Sequence, residues 1–161
     1  MEMAISGFTV FIDDEDYERI KNIAWWVLDP PKGKRYVCYS SFDNSRSPKK
    51  RTIYLHRYIL GLGAFRQNPC QVDHINGNTF DCRKSNLRLC TASQNQMNKG
   101  KLKNNKSGYK GVSWNKEKNK WSAVIEINDM SILLGRFKDI NDAISAYKQG
   151  SIKYHGEFGR V

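Results

Sequence analysis

The segment Lys99-Gly100-Lys101-Leu102-Lys103-Asn104-Asn105-Lys106 constrains this chain more than any other. It carries four lysines and a single large apolar residue, so it cannot run through a packed core and reads as a basic linker. The 161-residue chain must therefore build separate small cores on either side of it. Hydrophobic residues at 39% and aromatic residues at 12% suffice for such cores and exclude a wholly disordered basic tail. The expected organisation is an N-terminal α+β region over 1–69, a compact unit over 70–99, the linker over 100–106 and a C-terminal unit over 107–161.

Local patterning gives an α+β class. Phe8, Val10 and Ile12 alternate with polar or small residues and predict a strand. Asp14 is placed to cap a helix with Tyr17, Ile20 and Ala24 on one face. Tyr36–Ser41 and Thr52–Leu55 read as strands around a basic loop, Ser45–Arg51, and His56–Leu62 as a short helix. Asn76-Gly77 predicts a turn between the strands Gln71–Ile75 and Leu87–Cys90. Thr91 can cap a polar helix that runs to about Lys99. Beyond the linker, Gly111–Asn115, Lys120–Asn128 and Ser131–Phe137 predict three strands. Asp139 or Asn141 caps a final helix, in which Ile140, Ala143, Ile144 and Tyr147 recur at helical spacing. Trp121, Ala123, Ile125, Ile132 and Leu134 are expected to face that helix. Lys110, Ser113, Asn115, Ser122, Val124, Glu126 and Leu133 are expected to face outward.

A formal net charge of +11 favours a polyanionic partner, nucleic acid first. The charge is uneven: residues 1–29 hold seven acidic and two basic side chains, whereas residues 30–72 hold nine basic and one acidic. A nucleic-acid surface is therefore expected only after residue 30, with Lys49, Lys50 and Arg51 in the basic loop as contacts. No apolar run approaches the ~18 residues that span a membrane, so no membrane partner is expected. The N-terminus lacks the basic and apolar regions of a secretory signal, and a cytoplasmic location is expected. Cys38, Cys70, Cys82 and Cys90 contain no C-x-x-C pair. They are read as free thiols, and a structural zinc is not expected.

The chemistry concentrates in Val72-Asp73-His74-Ile75-Asn76-Gly77-Asn78, followed by Asn86 and Asn95, 12 and 21 residues after His74. Adjacent strand residues face opposite ways, so Asp73 and His74 converge only at a strand end or bulge. A carboxylate with a carboxamide oxygen suits a hard cation such as Mg²⁺, with water and substrate phosphate completing the shell. A neutral imidazole can take the proton from an attacking water. Together these describe a phosphodiesterase.

The segments D-H-I-N-G-N at 73–78, D-C-R-K-S-N-L-R at 81–88 and Q-N-Q-M-N at 94–98 closely resemble the HNH endonuclease motif, in the variant of phage and intron-encoded homing enzymes. The resemblance implies a ββα-metal unit. It assigns His74 as general base, Asp73 as a metal ligand and Asn86 as the residue that ties down the loop and orients the histidine. Asn95 stands where many members have histidine and would be the second metal ligand, with Mg²⁺ or Mn²⁺ as the ion. Leu55-His56-Arg57 also matches the region that often precedes this variant. There His56 is read as a packing residue, and Arg57 as either structural or a contact to the scissile phosphate. Arg88 is taken as a further DNA contact, and Asn98 as structural or DNA-contacting.

Ser107–Val112, Lys120–Ala123, Leu134–Phe137 and Ala143–Lys153 resemble the plant ethylene-response-factor (APETALA-type) DNA-binding domain. That resemblance implies a three-stranded antiparallel sheet in the major groove with one helix behind it. Most base-reading positions differ here, so base specificity does not carry over. Lys110, Trp114, Lys116, Lys118 and Lys120 are the expected DNA contacts.

The combined expectation is a metal-dependent, homing-type endonuclease acting on double-stranded DNA, as monomer or dimer, in the host cell of a phage or mobile element. The alternative is a non-catalytic DNA-binding regulator. Retention of Asp73, His74, Asn86 and Asn95 favours the enzyme.

Overall fold

The structure, a computed structural model, describes residues 1–42, 50–64, 70–102 and 104–160. The chain is mixed α+β and divides into two units, Met1–Cys90 and Thr91–Val161. The division falls just before the polar helix that follows Thr91, so that helix counts with the second unit.

In the first unit, β1 (Glu2–Ile5) and β2 (Phe8–Phe11) form a hairpin, and α1 (Asp14–Ile20) follows. Ser6 and Gly7 both have positive φ, the turn that suits a two-residue hairpin. Asp14 does not cap α1. The N-cap is Asp13, and its carboxylate instead accepts the Lys84 backbone N–H at 2.7 Å. A three-stranded antiparallel sheet follows, with β4 (Tyr36–Phe42) between β3 (Trp26–Leu28) and β5 (Lys50–Tyr54). The chain then enters α2 (Leu55–Ile59) and the antiparallel pair β6 (Gln71–His74) and β7 (Leu87–Cys90), with a short 3₁₀ turn at Lys84–Asn86 between them.

One core joins these pieces. Ile5, Val10, Ile12, Ile20, Val37, Leu55, Ile59, Cys82 and Leu87 are buried together. Cys82 brings the β6–β7 connection into that core. Backbone bonds secure it there: Phe11 N donates to Phe80 O and Cys82 N to Phe11 O, both at 2.8 Å. The hairpin at the N-terminus thus holds the loop that links the two chemically dense strands.

The second unit begins with α3 (Ala92–Met97). Thr91 and Gln94 form a reciprocal capping box at its start. The order β10–β9–β8 follows, from β8 (Val112–Asn115), β9 (Lys120–Ile127) and β10 (Met130–Phe137). Asn128 and Asp129 supply the positive-φ hairpin turn between the last two. Asp139 caps α4 (Ile140–His155) by accepting the Asn141 N–H at 2.6 Å. Val112, Ala123, Ile125, Ala143 and Tyr147 are the buried core, with Trp121, Ile132, Leu134 and Phe137 packed on it. Ser122, expected to face outward, is buried instead, because it sits on the central strand between its cross-strand neighbours Ser113 and Arg136.

Gly111 fixes how closely β8 meets α4. Its φ is +68°, and a Cβ there would lie 2.0 Å from Tyr147 Cε2 and 2.5 Å from the Val124 carbonyl oxygen. Gly111→Ala should therefore destabilise the second unit by about 2–4 kcal/mol, combining overpacking with left-handed backbone strain. Hydrogen exchange of β8 and β9 amides in the full chain reads this directly. A loss below about 0.5 kcal/mol would contradict the packing described.

Candidate active site

The β6–β7 hairpin carries Asp73 and His74 at the end of its first strand and Asn86 at the entry to its second. The connection between them is held by side chains rather than by regular secondary structure. Asn86 Oδ1 accepts the Asn76 N–H at 2.9 Å, and Asn86 Nδ2 donates to the Asp81 carbonyl at 2.8 Å. Its own backbone carbonyl accepts the Ile75 N–H at 2.9 Å. One buried carboxamide therefore clamps both ends of the loop directly after His74. Gly77, with φ +74°, makes the turn and donates to the His74 carbonyl at 2.8 Å.

Asp81 is a second anchor that sequence reasoning passed over. It is buried and accepts from Asn76 Nδ2 at 2.8 Å and from Arg83 Nε and Nη2 at 2.8 and 2.7 Å. The Arg83 guanidinium, with Asn76, holds its carboxyl below the usual range. The Asn76-Gly77 turn signal was legible. Its dependence on a carboxylate five residues on was not, because Asp81 lies in an irregular stretch without periodicity.

Asp73 and His74 are both buried, at 5% and 4% exposure. Asp73 stands opposite Arg88 across the two strands. Its Oδ2 accepts from Arg88 Nε at 2.9 Å and Nη2 at 2.7 Å. This corrects the reading of Arg88 as a DNA contact: its charge is spent on Asp73. The His74 ring lies against Tyr36 and His56, with centroids 6.3 and 5.0 Å away. Burial pushes its pKa down to about 4, with Lys34 adding to the effect and Asp73 and Asp81 opposing it. At neutral pH the ring is uncharged and able to accept a proton.

The remaining predicted residues fall into three groups. Arg57 is buried and engaged within the protein. Its Nε donates to Gly63 O at 3.0 Å and its Nη1 to Cys70 O at 2.6 Å, a strap from α2 to the start of β6. Asn98 is buried at the end of α3. Lys110 is half-buried, and its Nζ donates to the Met97 carbonyl. Burial, then Arg160, lowers its pKa to about 8. Asn95 lies on α3 in the second unit, while Asp73, His74 and Asn86 lie in the first.

Lys50 is exposed and Arg51 half-buried on β5, and Lys49 lies outside the described residues. Lys116 and Lys118 are exposed on the β8–β9 turn, Lys120 is half-buried beside them, and Trp114 is 44% exposed with its ring set edge-on to Trp121. Among the described residues, no three His, Cys, Asp or Glu side chains converge as a metal site. The four cysteines are free thiols; burial raises Cys38 and Cys90 to about 11 and Cys82 to about 12.

The Asp81 anchor has a pH signature. A carboxyl whose folded pKa is depressed stabilises the fold above its unfolded pKa, near 3.9, and loses that contribution as pH falls through the folded value. Asp81→Asn should therefore cost about 1–3 kcal/mol at pH 7 and less near pH 3. Denaturant titrations of both proteins at the two pH values check this. An equal loss at both would show that the carboxylate charge contributes nothing.

Residues 62–97 match the family described as HNH endonuclease. The chain is 32% identical over 89 residues to Protein 3.8 of Escherichia phage T7, covering 55% of this chain and 73% of the phage protein. It is 31% identical over 129 residues to an uncharacterized HNH endonuclease, L560, of Acanthamoeba polyphaga mimivirus, covering 79% of this chain and 65% of that protein. No solved structure matches. The chain belongs to the same family as the phage T7 protein and carries an HNH endonuclease domain that holds Asp73, His74, Asn86 and Asn95.

Proposed function

We propose that this protein is a metal-dependent, homing-type endonuclease that hydrolyses a phosphodiester bond of double-stranded DNA at a recognised site. The observation that carries the reading is His74: a neutral imidazole beside a buried carboxylate, on a hairpin whose loop is clamped by Asn86. Such a ring can draw the proton from a water as the water oxygen attacks phosphorus. The bond from phosphorus to the 3′ oxygen then breaks, leaving a 5′-phosphate and a 3′-hydroxyl. Asn86 serves by holding the loop so that the base keeps its place.

In this reading Asp73 and Asn95 are ligands of a hard divalent cation. Asp73 offers a carboxylate and Asn95 a carboxamide oxygen, which with water and phosphate oxygens suit Mg²⁺ or Mn²⁺. When bound, the ion would supply charge stabilisation to the scissile phosphate and its leaving oxygen. Arg88 orients the Asp73 carboxylate through its two bonds to one oxygen.

The C-terminal sheet and helix form the DNA-recognition part in this reading, ethylene-response-factor-like in arrangement. Trp114, Lys116, Lys118 and Lys120 present an aromatic ring and positive charge from one hairpin. Lys50 and Arg51 supply contacts from the first unit. One nuclease site per chain means that a monomer nicks and a double-strand break takes two copies. The relatives in a phage and a giant virus support a role inside the host cell of such an element.

A supercoiled-plasmid assay with Mg²⁺ or Mn²⁺ tests the proposal. The wild-type protein should convert plasmid to open circle, and EDTA should stop it. Asp73→Ala should lower the rate at least 10²-fold while DNA affinity changes less than about threefold. Full activity in that variant, or in EDTA, would refute the site. Affinity should also fall steeply with salt, as counterion release requires.

A further inference from the structure

The ring cluster around His74 has no part in the roles assigned above. Tyr54 stacks on His56 at 5.6 Å and 17°, His56 meets His74 edge-on at 5.0 Å and 74°, and Tyr36 touches all three rings at 5.6 to 6.3 Å. These residues come from β4, β5, α2 and β6, so four elements meet in one ring cluster. His56 is 7% exposed, and its ring faces other rings of the protein.

From this cluster we infer that His56 is a positioning residue for His74: its ring is the wall that fixes the plane of the base. The inference rests on the reading of His74 as general base and extends it to a residue outside the HNH motif. The contact is aromatic. Rings prefer offset-stacked or edge-to-face geometry with centroids about 4.5–7 Å apart. His74 has two such neighbours, His56 and Tyr36, at set angles, which restricts rotation of its ring. Arg57 makes the wall rigid. The next residue after His56, it is bonded to Gly63 O and to Cys70 O, directly before β6, so α2 cannot drift away from the strand that carries His74. A base displaced by about 1 Å can lose on the order of 10²-fold in rate.

The test compares His56→Phe and His56→Ala in the full chain, with His74→Ala as the inactive control. Two readouts separate positioning from folding or DNA binding. The first is single-turnover cleavage at saturating DNA, set beside the DNA concentration for half-saturation. The second is the imidazole ¹H–¹⁵N spectrum, simple because the chain has three histidines. His56→Ala should slow cleavage at saturation at least tenfold with half-saturation within about twofold, and should shift or broaden the His74 signals. His56→Phe, which keeps a flat ring, should recover most of the rate and sharp His74 signals. Unchanged cleavage in His56→Ala beside an inactive His74→Ala overturns the positioning role alone. So does a Phe variant as slow as the Ala variant. A wild-type protein that binds DNA and never cleaves it overturns the nuclease reading, and this inference with it.

Discussion

The two side-chain bonds of Asn86, to the Asn76 N–H and to the Asp81 carbonyl, close a loop that would otherwise be an open excursion between two four-residue strands. A pair of strands that short is not stable alone. It persists because its connection is bolted from inside by Asn86 and Asp81 and from outside by the N-terminal hairpin, through Phe11 and Cys82. The register that sets Asp73 opposite Arg88 follows from that closure. So does the placement of His74 at the strand end, where its ring turns into the aromatic cluster. The first 29 residues, acidic and unsuited to DNA, thus contribute to the site as scaffold.

The hairpin handles charge in two contrasting ways. Asp73 is matched: a buried carboxylate against a guanidinium, in an arrangement where removal of one partner typically costs about 3–5 kcal/mol. His74 is kept neutral by burial, next to another neutral imidazole. The hairpin therefore sets an ion pair and a proton acceptor one residue apart. Strand alternation separates them, and the strand end lets both remain close to the loop. Arg57 and Arg88 show why basic residues near such a site are poor guides to DNA contact. Each is consumed by the protein's own acceptors.

Much of the fold was legible because its elements carry strong local signals. The three C-terminal strands and the last helix follow from alternation, the Asn128-Asp129 turn and helical spacing, and each lies within a residue or two of its expected bounds, except the helix end, which was not predicted. The capping role of Thr91 and the Asn76-Gly77 turn followed from side-chain chemistry at the right position. What escaped notice was short or tertiary. β1 and β3 are four and three residues long and owe their existence to pairing with β2 and β4. Asp13 leaves its capping role for a partner 71 residues away. Around the motif, the uses of Arg57, Arg88 and Lys110 depend on which acceptors the fold brings to them. No spacing rule encodes that. The same holds for His56, whose ring neighbours come from three strands spread over nearly 40 residues.

The central claim is that His74 on this clamped hairpin is the base of a DNA-cleaving site. The most direct measurement is sequencing of the ends produced when a genomic DNA library is incubated with Mg²⁺ and either the wild-type chain or His74→Ala. The account predicts ends with 5′-phosphate and 3′-hydroxyl that recur at one sequence with the wild-type chain and are absent with His74→Ala. Ends of the same position and abundance with both proteins would contradict it.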